Sequence, residues 1–183
     1  DNNFQRVFFP FLMIGFGVLA GLWPFHTWSP DGHVAAPTAV SMVHAGVLMK
    51  LGAFGIIRVG MLLLPEGAQD WMAVLIALGT VNVLYGAWSA LGQTDLKYVI
   101  GYSSVSHMGY VMMGLATLHS LGVAGAVLQM LSHGLMTALF FAVVGVVYDR
   151  THTRDMTVLD GLAKRMGFTA VFFALAGLAS LGL

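Results

Sequence analysis

Lys50 stands in the middle of an apolar run of membrane-span length, Thr38 to Leu64. An ionised side chain at the centre of a bilayer costs roughly 2.5 to 3.5 kcal/mol on insertion scales, so a protein retains one only where something compensates for the charge. Burial and a neighbouring charge weaken the hold of a lysine on its proton, which can turn the amine into an exchangeable proton store. We therefore treat Lys50 as the first candidate for function.

Three histidines stand inside apolar segments of the same kind: His44, His107 and His133. Histidine titrates near neutral pH and both donates and accepts hydrogen bonds, so a line of imidazoles joined by hydroxyls and water can pass protons. His44 precedes Lys50 by six residues, which is roughly 9 Å along a helix axis and on a different face, so water would have to join the two side chains. These residues predict a path for protons inside the membrane.

Other polar residues line up with the histidines at helical spacing. Three apolar segments each carry such a stripe: Asn82, Tyr85 and Ser89; Ser103, His107 and Tyr110; Gln129, His133 and Thr137. In lipid, a polar stripe must face protein or water. Hydrogen bonding between helices is the simpler interpretation of a single hydroxyl or amide, whereas the stripe that holds His133 favours function.

A second group of candidate residues lies in one short loop: His26, Asp31 and His33. They could supply metal ligands, but their spacing matches no strong metal signature, and Asp31 before a glycine is also an ordinary turn residue. No motif of a serine hydrolase, a zinc protease or a phosphate-binding loop occurs in the sequence. The sequence contains no cysteine, which excludes disulfides and a thiolate-held iron–sulfur centre within it.

The composition places these residues in a polytopic membrane protein. Of the 183 residues, 58% are hydrophobic and 9% are charged, and the mean hydropathy is +0.84. An average soluble domain has about a quarter of its residues charged. The formal net charge is zero, which argues against nucleic acid as a partner and against a basic anchor on the membrane surface.

Six apolar segments approach or exceed the length that spans a bilayer. They are Val7 to Trp23, Thr38 to Leu64, Trp71 to Leu91, Lys97 to Leu118, Leu121 to Tyr148 and Phe168 to Leu183. The run from Pro24 to Asp31 predicts a helix end or break with a structural purpose. We predict an all-α, polytopic transmembrane helix bundle, with residues 1–183 as a single domain and a fragment of a longer protein.

The charged residues predict the orientation of this bundle. Successive spans alternate in direction, so the first, third and fifth connections share one face. The residues in or beside these connections include Lys97, Arg150, Arg154, Lys164 and Arg165, whereas the opposite face carries Glu66, Asp70 and His119. Cytoplasmic loops are enriched in lysine and arginine, so the first set of connections is predicted to face the cytoplasm.

Four ordered strings resemble the antiporter-like membrane subunits of respiratory complex I, NADH-quinone oxidoreductase, and the last string is most similar to subunit M, also called chain 4. The strings are WPFHTWSPDGH with APT (23–33 and 36–38), AGVLMKLG (45–52), QTDLK with YSSVSHMG (93–97 and 102–109) and YDRTHTRD (148–155). This resemblance covers nearly the whole chain. It implies the central and later part of a subunit built from two inverted five-helix repeats, with broken helices near the midplane.

The resemblance also implies roles for particular residues. Lys50 matches the central lysine that passes protons between half-channels, and His133 matches a member of the hydrated central line. His44 matches a position at which another antiporter-like subunit uses a histidine in the equivalent role. Asp31 and His33 resemble the loop after the first broken helix.

The implied function is proton translocation as a membrane subunit of NADH:quinone oxidoreductase. We expect the path to be formed by Lys50, His44, His133, His107, Thr137 and Gln129, with His26, Asp31 and His33 near the broken helix. We expect no cofactor in this chain, and NADH, FMN, iron–sulfur clusters and quinone in partner subunits. The expected partners are the lipid bilayer and the other membrane subunits of complex I, including neighbouring antiporter-like subunits, in a bacterial cytoplasmic (inner) membrane.

One position departs from the family pattern. The family carries a lysine five residues before the Pro24-Phe25-His26 turn, where this sequence has Leu19, and no ionisable residue lies from Gly15 to Trp23. Proton transfer would then run through His44 and Lys50. The alternatives are a subunit of a multisubunit sodium/proton antiporter, which shares the helical core and much of the motif set, and a paralogue with a mainly structural role.

Overall fold

A computed structural model describes residues 2–182. Its helices are α1 (Asn2–Ala20), α2 (Trp28–Ala35), α3 (Thr38–Met61), α4 (Pro65–Leu91), α5 (Leu96–Ala116), α6 (Ser120–Thr151), α7 (Leu162–Arg165) and α8 (Gly167–Ser180). The predicted all-α fold is confirmed, and the six predicted spans correspond to α1, α3, α4, α5, α6 and the shorter α8. The last residue of the sixth predicted span, Leu183, lies outside the described residues.

The boundaries of the spans differ from the prediction by a few residues. The first helix ends at Ala20 because Gly21 follows with a positive φ of 77°, a left-handed conformation that glycine adopts without steric cost. Helix α4 begins at Pro65, six residues before the predicted start, since proline is well suited to the first turn of a helix. Local backbone preferences thus set helix ends that hydropathy alone does not locate.

Four of the described helices are long and apolar enough to cross a membrane: α1, α3, α4 and α6. Helix α5 has 21 residues but carries the polar segment from Tyr102 to His107, which lowers its hydropathy. Helix α8 is apolar and has 14 residues. The prediction of a multi-pass membrane protein is confirmed.

The predicted break between the first two segments is present, and a buried asparagine of α4 holds it. The Asn82 carboxamide oxygen accepts a hydrogen bond from the Trp23 N–H at 2.6 Å. Its nitrogen donates to the carbonyl oxygens of Gly21 at 2.9 Å and Val105 at 3.3 Å. Asn82 therefore satisfies backbone groups that the end of α1 leaves without helical partners, which is the helix-bonding role predicted for a single amide.

Helix α3 is not a regular α-helix. It contains two π-helical segments, His44–Leu48 and Ile56–Met61, on either side of the α-helical residues Met49–Gly55. Such wide turns are rare and are frequently found at functional sites. Lys50 lies in the α-helical piece between them.

Two of the connections meet at one end of the bundle, as the alternation of spans predicts. Arg154 forms an ion pair with Asp95 at 3.1 Å and donates to the carbonyl oxygen of Val34, in α2, at 3.3 Å. Backbone hydrogen bonds join Leu96 to Arg154 at 3.0 Å and Met156 to Thr94 at 2.9 Å. The third and fifth connections and the end of α2 thus form one tied surface, which we call the basic end.

Candidate functional site

Lys50 is buried, with 7% of its surface exposed. Its ammonium group donates a hydrogen bond to the carbonyl oxygen of Ala45, which lies in the first π-helical segment. One side of Lys50 faces α6 at a point of very close helix contact. A Cβ atom placed on Gly134 would lie 2.8 Å from the Gly46 oxygen and 3.9 Å from Cε of Lys50.

His133, the residue before Gly134, supplies the first imidazole of the site. His133 is 1% exposed, and neither of its ring nitrogens has a hydrogen-bond partner among the described residues. The ring stacks on His107 of α5, with centroids 5.0 Å apart and an angle of 22° between the planes. Gln129 contacts Nδ1 of His107 through its amide nitrogen at 2.9 Å. The stripes of α5 and α6 therefore meet at their histidines.

A second pair of imidazoles lies between α2 and α3. The rings of His33 and His44 are 5.8 Å apart between centroids, at an angle of 67°. Ser29 lies 3.2 Å from Nε2 of His33, and its hydroxyl also donates to the sulfur of Met49 at 3.4 Å. His44 thus meets the histidine of the broken-helix region, and Ser29 links that region to the residue before Lys50.

Lys50 connects the two pairs electrostatically. Its charge interacts with the imidazoles of His33, His107 and His133. His33 in turn interacts with both His44 and His133. A proton gained or lost at Lys50 therefore changes the electrostatic energy of imidazoles on α2, α5 and α6.

The three residues predicted to share one short loop do not form a common site, because Asp31 and His33 lie in helix α2 and His26 lies before it. His26 precedes α2 and lies against Tyr85, with ring centroids 4.8 Å apart. Asp31 is exposed and accepts a hydrogen bond from the Tyr98 hydroxyl at 3.1 Å. His33 points to His44 instead. Within residues 2–182, no group of three or more histidine, cysteine or acidic side chains is arranged to hold a metal ion.

The Thr137 hydroxyl hydrogen-bonds to the backbone of its own helix. It donates to the carbonyl oxygen of His133 at 2.7 Å and also contacts that of Gly134 at 3.3 Å. A hydroxyl bonded four residues back bends a helix slightly, so Thr137 acts on the carbonyl group of His133 and not on its ring. Its predicted place in a proton path remains a prediction.

Lys97 is a second buried lysine, and it was not among the residues predicted to form the proton path. It is 4% exposed and donates to the carbonyl oxygen of Ala36 at 2.7 Å and to the Ser41 hydroxyl at 3.3 Å. The Ser41 hydroxyl donates to the carbonyl oxygen of His33 at 2.7 Å. The basic end thus anchors the backbone that carries His33. A lysine near the first turn of an apolar helix gives no sequence signal that its amine turns inward.

Leu19 occupies the end of α1 without any polar group beside it in sequence. The following residue, Ala20, lies so close to α3 that a Cβ atom on Gly52 would stand 2.5 Å from the Ala20 nitrogen. On the other side, the carbonyl oxygen of Val18 accepts a hydrogen bond from the Trp28 indole at 2.8 Å. The end of α1 is therefore packed against both α2 and the helix that carries Lys50.

The whole chain, residues 1–183, matches the transmembrane family described as NADH:quinone oxidoreductase/Mrp antiporter. A relative from Thermosynechococcus vestitus, NAD(P)H-quinone oxidoreductase chain 4 2, is 49% identical over 93% of this chain and 32% of its own length. NADH-quinone oxidoreductase subunit M of Rickettsia prowazekii is 41% identical over 98% of this chain and 36% of its own. The chain thus spans about a third of the length of these relatives.

A chain in the structure of respiratory complex I from Thermus thermophilus with bound NADH has the same fold. The TM-score is 0.92, with 29% identity, over 98% of this chain and 38% of that one. The predicted resemblance is confirmed by sequence and by structure. The chain belongs to the NADH:quinone oxidoreductase/Mrp antiporter family of transmembrane subunits.

Proposed function

We propose that this chain is part of a proton-translocating membrane subunit of NADH:quinone oxidoreductase, and that Lys50 is its proton-exchange group. The observation that carries the proposal is the position of Lys50. It is buried, it interacts with imidazoles of α2, α5 and α6, and it lies beside a π-helical turn. The names of the relatives with 41 to 49% identity support the parent complex.

The physical mechanism is electrostatic. A unit charge that comes within 4 Å of Lys50 changes its energy by about 4 kcal/mol at an effective dielectric constant near 20. Such a change alters the proton occupancy of the amine roughly a thousandfold. A proton released from Lys50 can be taken up by a neighbouring imidazole, because neutral histidine has one nitrogen that accepts and one that donates.

Redox chemistry belongs to partner subunits under this proposal. A chain without cysteine offers no thiolate for an iron–sulfur cluster. NADH, FMN, iron–sulfur clusters and quinone would be bound by other subunits of the complex, whose turnover brings a charge or a conformational change to Lys50. The membrane neighbours would include other antiporter-like subunits, and the site would lie in a bacterial inner membrane.

Lys50→Ala and Lys50→Met test the proposal, with Lys164→Ala as the control. Both replacements at Lys50 remove the exchangeable proton, and methionine keeps the length of the side chain. We expect the complete complex to assemble, and the protons pumped per electron to fall by the full share of this subunit. Lys164 is an exposed residue of α7, so its replacement should leave the ratio unchanged.

The measurement is the proton-to-electron ratio of the purified complex in proteoliposomes, with electron transfer followed at the same time. An unchanged ratio in assembled Lys50→Met complex would refute the assignment of Lys50. Such a result would favour the structural paralogue that Leu19 suggests.

A multisubunit sodium/proton antiporter is the second candidate, and the interior side chains argue against a sodium site. The buried ionisable groups around Lys50 are amine and imidazole nitrogens. The acidic residues that the structure describes lie in connections, in α2 or within two turns of a helix end: Asp31, Glu66, Asp70, Asp95, Asp149, Asp155 and Asp160. Hard cations prefer oxygen ligands, carboxylates above all. This arrangement favours the proton as the ion that is moved.

A further inference from the structure

Three tyrosines lie in a row between an exposed carboxylate and a buried imidazole. The Tyr98 hydroxyl donates to Oδ1 of Asp31 at 3.1 Å. The ring centroids of Tyr98 and Tyr102 are 6.4 Å apart, and those of Tyr102 and Tyr85 are also 6.4 Å apart. Tyr85 lies edge-on to His26 with centroids 4.8 Å apart. We call Tyr98, Tyr102 and Tyr85 the tyrosine row.

Helix geometry and one glycine bring these rings together. Tyr98 and Tyr102 are four residues apart on α5, so they lie on one face of the helix. Tyr85 is supplied by α4, which comes close to α5 at Gly86. A Cβ atom on Gly86 would stand 2.6 Å from the backbone nitrogen of Ser106 and 3.0 Å from the backbone carbonyl oxygen of Tyr102. The backbone contact therefore places Tyr85 beside Tyr102.

His26, at the buried end of the row, has ring nitrogens that are available for proton exchange. It is 3% exposed, and both ring nitrogens lack hydrogen-bond partners among the described residues. Buried polar nitrogens are normally bonded to protein or water, so an imidazole with two free positions marks a place that a mobile donor or acceptor reaches. Tyr85, whose ring lies against His26, carries a hydroxyl group.

The outer end of the row lies at the surface. Asp31 is exposed and belongs to α2, whose last turn is held by Arg154 and Lys97 through the carbonyl oxygens of Val34 and Ala36. Tyr98 is in the first turn of α5, next to Lys97. The row thus begins at the basic end of the bundle and leads inward to His26, which precedes α2.

We propose that the tyrosine row conducts protons from the basic end to His26, and that water completes the route from His26 to the imidazoles beside Lys50. Each phenol accepts a proton on its oxygen and releases its own to the next hydroxyl or an intervening water, so one proton advances without oxidation or a change in net charge. The inference rests on the proposed function. It gives the chain a supply route that needs no amine at the position of Leu19.

Tyrosine-to-phenylalanine replacements test the row, because they remove one oxygen and keep the ring. Tyr102→Phe and Tyr85→Phe are the test variants, and Tyr148→Phe is the matched control on α6. Tyr148 lies near the basic end, with Arg154 5.7 Å from its ring centroid, and is not part of the row. All variants are made in the complete complex, and Lys50→Met is measured beside them.

We expect Tyr102→Phe and Tyr85→Phe to slow pumping through this subunit about a hundredfold, the lower end of the range for loss of a proton-transfer group. The proton-to-electron ratio should approach that of Lys50→Met, while Tyr148→Phe stays at the wild-type ratio. A row that only fills space between helices would leave both test variants at the wild-type ratio, and that result would overturn the inference.

The two proposals fail in different ways. A normal ratio in Tyr102→Phe and Tyr85→Phe together with a low ratio in Lys50→Met refutes the row and leaves the proposed function standing. A normal ratio in Lys50→Met refutes the proposed function itself. Equal losses in all tyrosine variants, including Tyr148→Phe, would also refute the row, because the effect would then not depend on position.

Discussion

Gln129 determines which nitrogen of His107 carries a proton. An amide nitrogen can only donate, so with Nε2 of Gln129 at 2.9 Å, Nδ1 of His107 accepts and the neutral ring holds its proton on Nε2. His107 is stacked on His133, whose own nitrogens have no partner among the described residues. The Gln129 amide thus fixes the tautomer of His107 and, with it, which nitrogen of the stacked pair can donate a proton.

Gln129→Leu should therefore slow proton transfer without blocking it. Loss of one hydrogen bond of about 1 kcal/mol lets His107 sample the wrong tautomer, which lowers the rate of pumping about fivefold. Gln93→Leu is the control, because among residues 2–182 the Gln93 amide bonds only the carbonyl oxygen of Ser89, near the end of α4. The initial rate of pumping in proteoliposomes is the measurement, and equal rates in both variants would contradict the role of Gln129.

The sequence located the polar groups of each helix but not their partners. Spacing placed Gln129 and His133 on one face of α6, and the structure agrees. It did not pair His33 with His44, because ring contacts between helices depend on how closely the backbones approach. It also grouped His26 with His33, although His26 precedes α2 and lies against Tyr85, whereas His33 is inside α2 and lies against His44.

At the scale of the helices, the close contact between α3 and α6 depends on two glycines. Gly46 lies in the first π-helical segment of α3, and Gly134 faces it from α6. Since a Cβ atom on Gly134 would come within 2.8 Å of a backbone oxygen, no side-chain movement can make room for it. The close contact between the backbones of α3 and α6 thus sets the distance between Lys50 and His133.

Gly134→Ala should push α6 away from α3, with Gly125→Ala as the control on the same helix. Apart from the backbone of its own helix turn, no described residue comes within 4 Å of a Cβ atom at Gly125, so alanine there should be silent or slightly stabilising. Overpacking costs typically 1 to 3 kcal/mol. We expect Gly134→Ala to lower both the thermal stability of the complex and its proton-to-electron ratio; normal values for both would show that the contact is not needed.

Hydropathy identified the long helices, yet it could not identify the π-helical segments of α3. Thr38 to Leu64 is apolar throughout its length apart from Lys50, Arg58, His44 and a few hydroxyls, so its composition fits any helix type. A π turn is decided by what the helix packs against, and the close approach of Gly134 to Gly46 is formed only in the folded bundle. Information of that kind is absent from a single segment.

On the scale of the whole molecule, the tied basic end predicts the orientation in the membrane. The Asp95–Arg154 ion pair and the contact of Arg154 with Val34 hold the residues of three predicted connections at one end. By the positive-inside rule this end faces the cytoplasm. The orientation remains a prediction that can be tested directly, since the chain contains no native cysteine.

Single cysteines at exposed positions provide that test. In vesicles of known orientation, a membrane-impermeant maleimide should label Lys164→Cys from the cytoplasmic side and Glu66→Cys from the opposite side. Both native residues are exposed and lie near opposite ends of the bundle by the order of the helices. Labelling of Glu66→Cys from the cytoplasmic side would reverse the predicted orientation.

The seven residues Met49–Gly55 form an α-helical piece between the two π-helical segments of α3. Gly52 in this piece lies against the backbone of α1, and Gly46 in the first π-helical segment lies against the backbone of α6. Close contacts with two helices therefore hold the piece in place. Under the proposed function, the flexible side chain of Lys50, and not a rotation of its helix, would carry the amine from one imidazole to another.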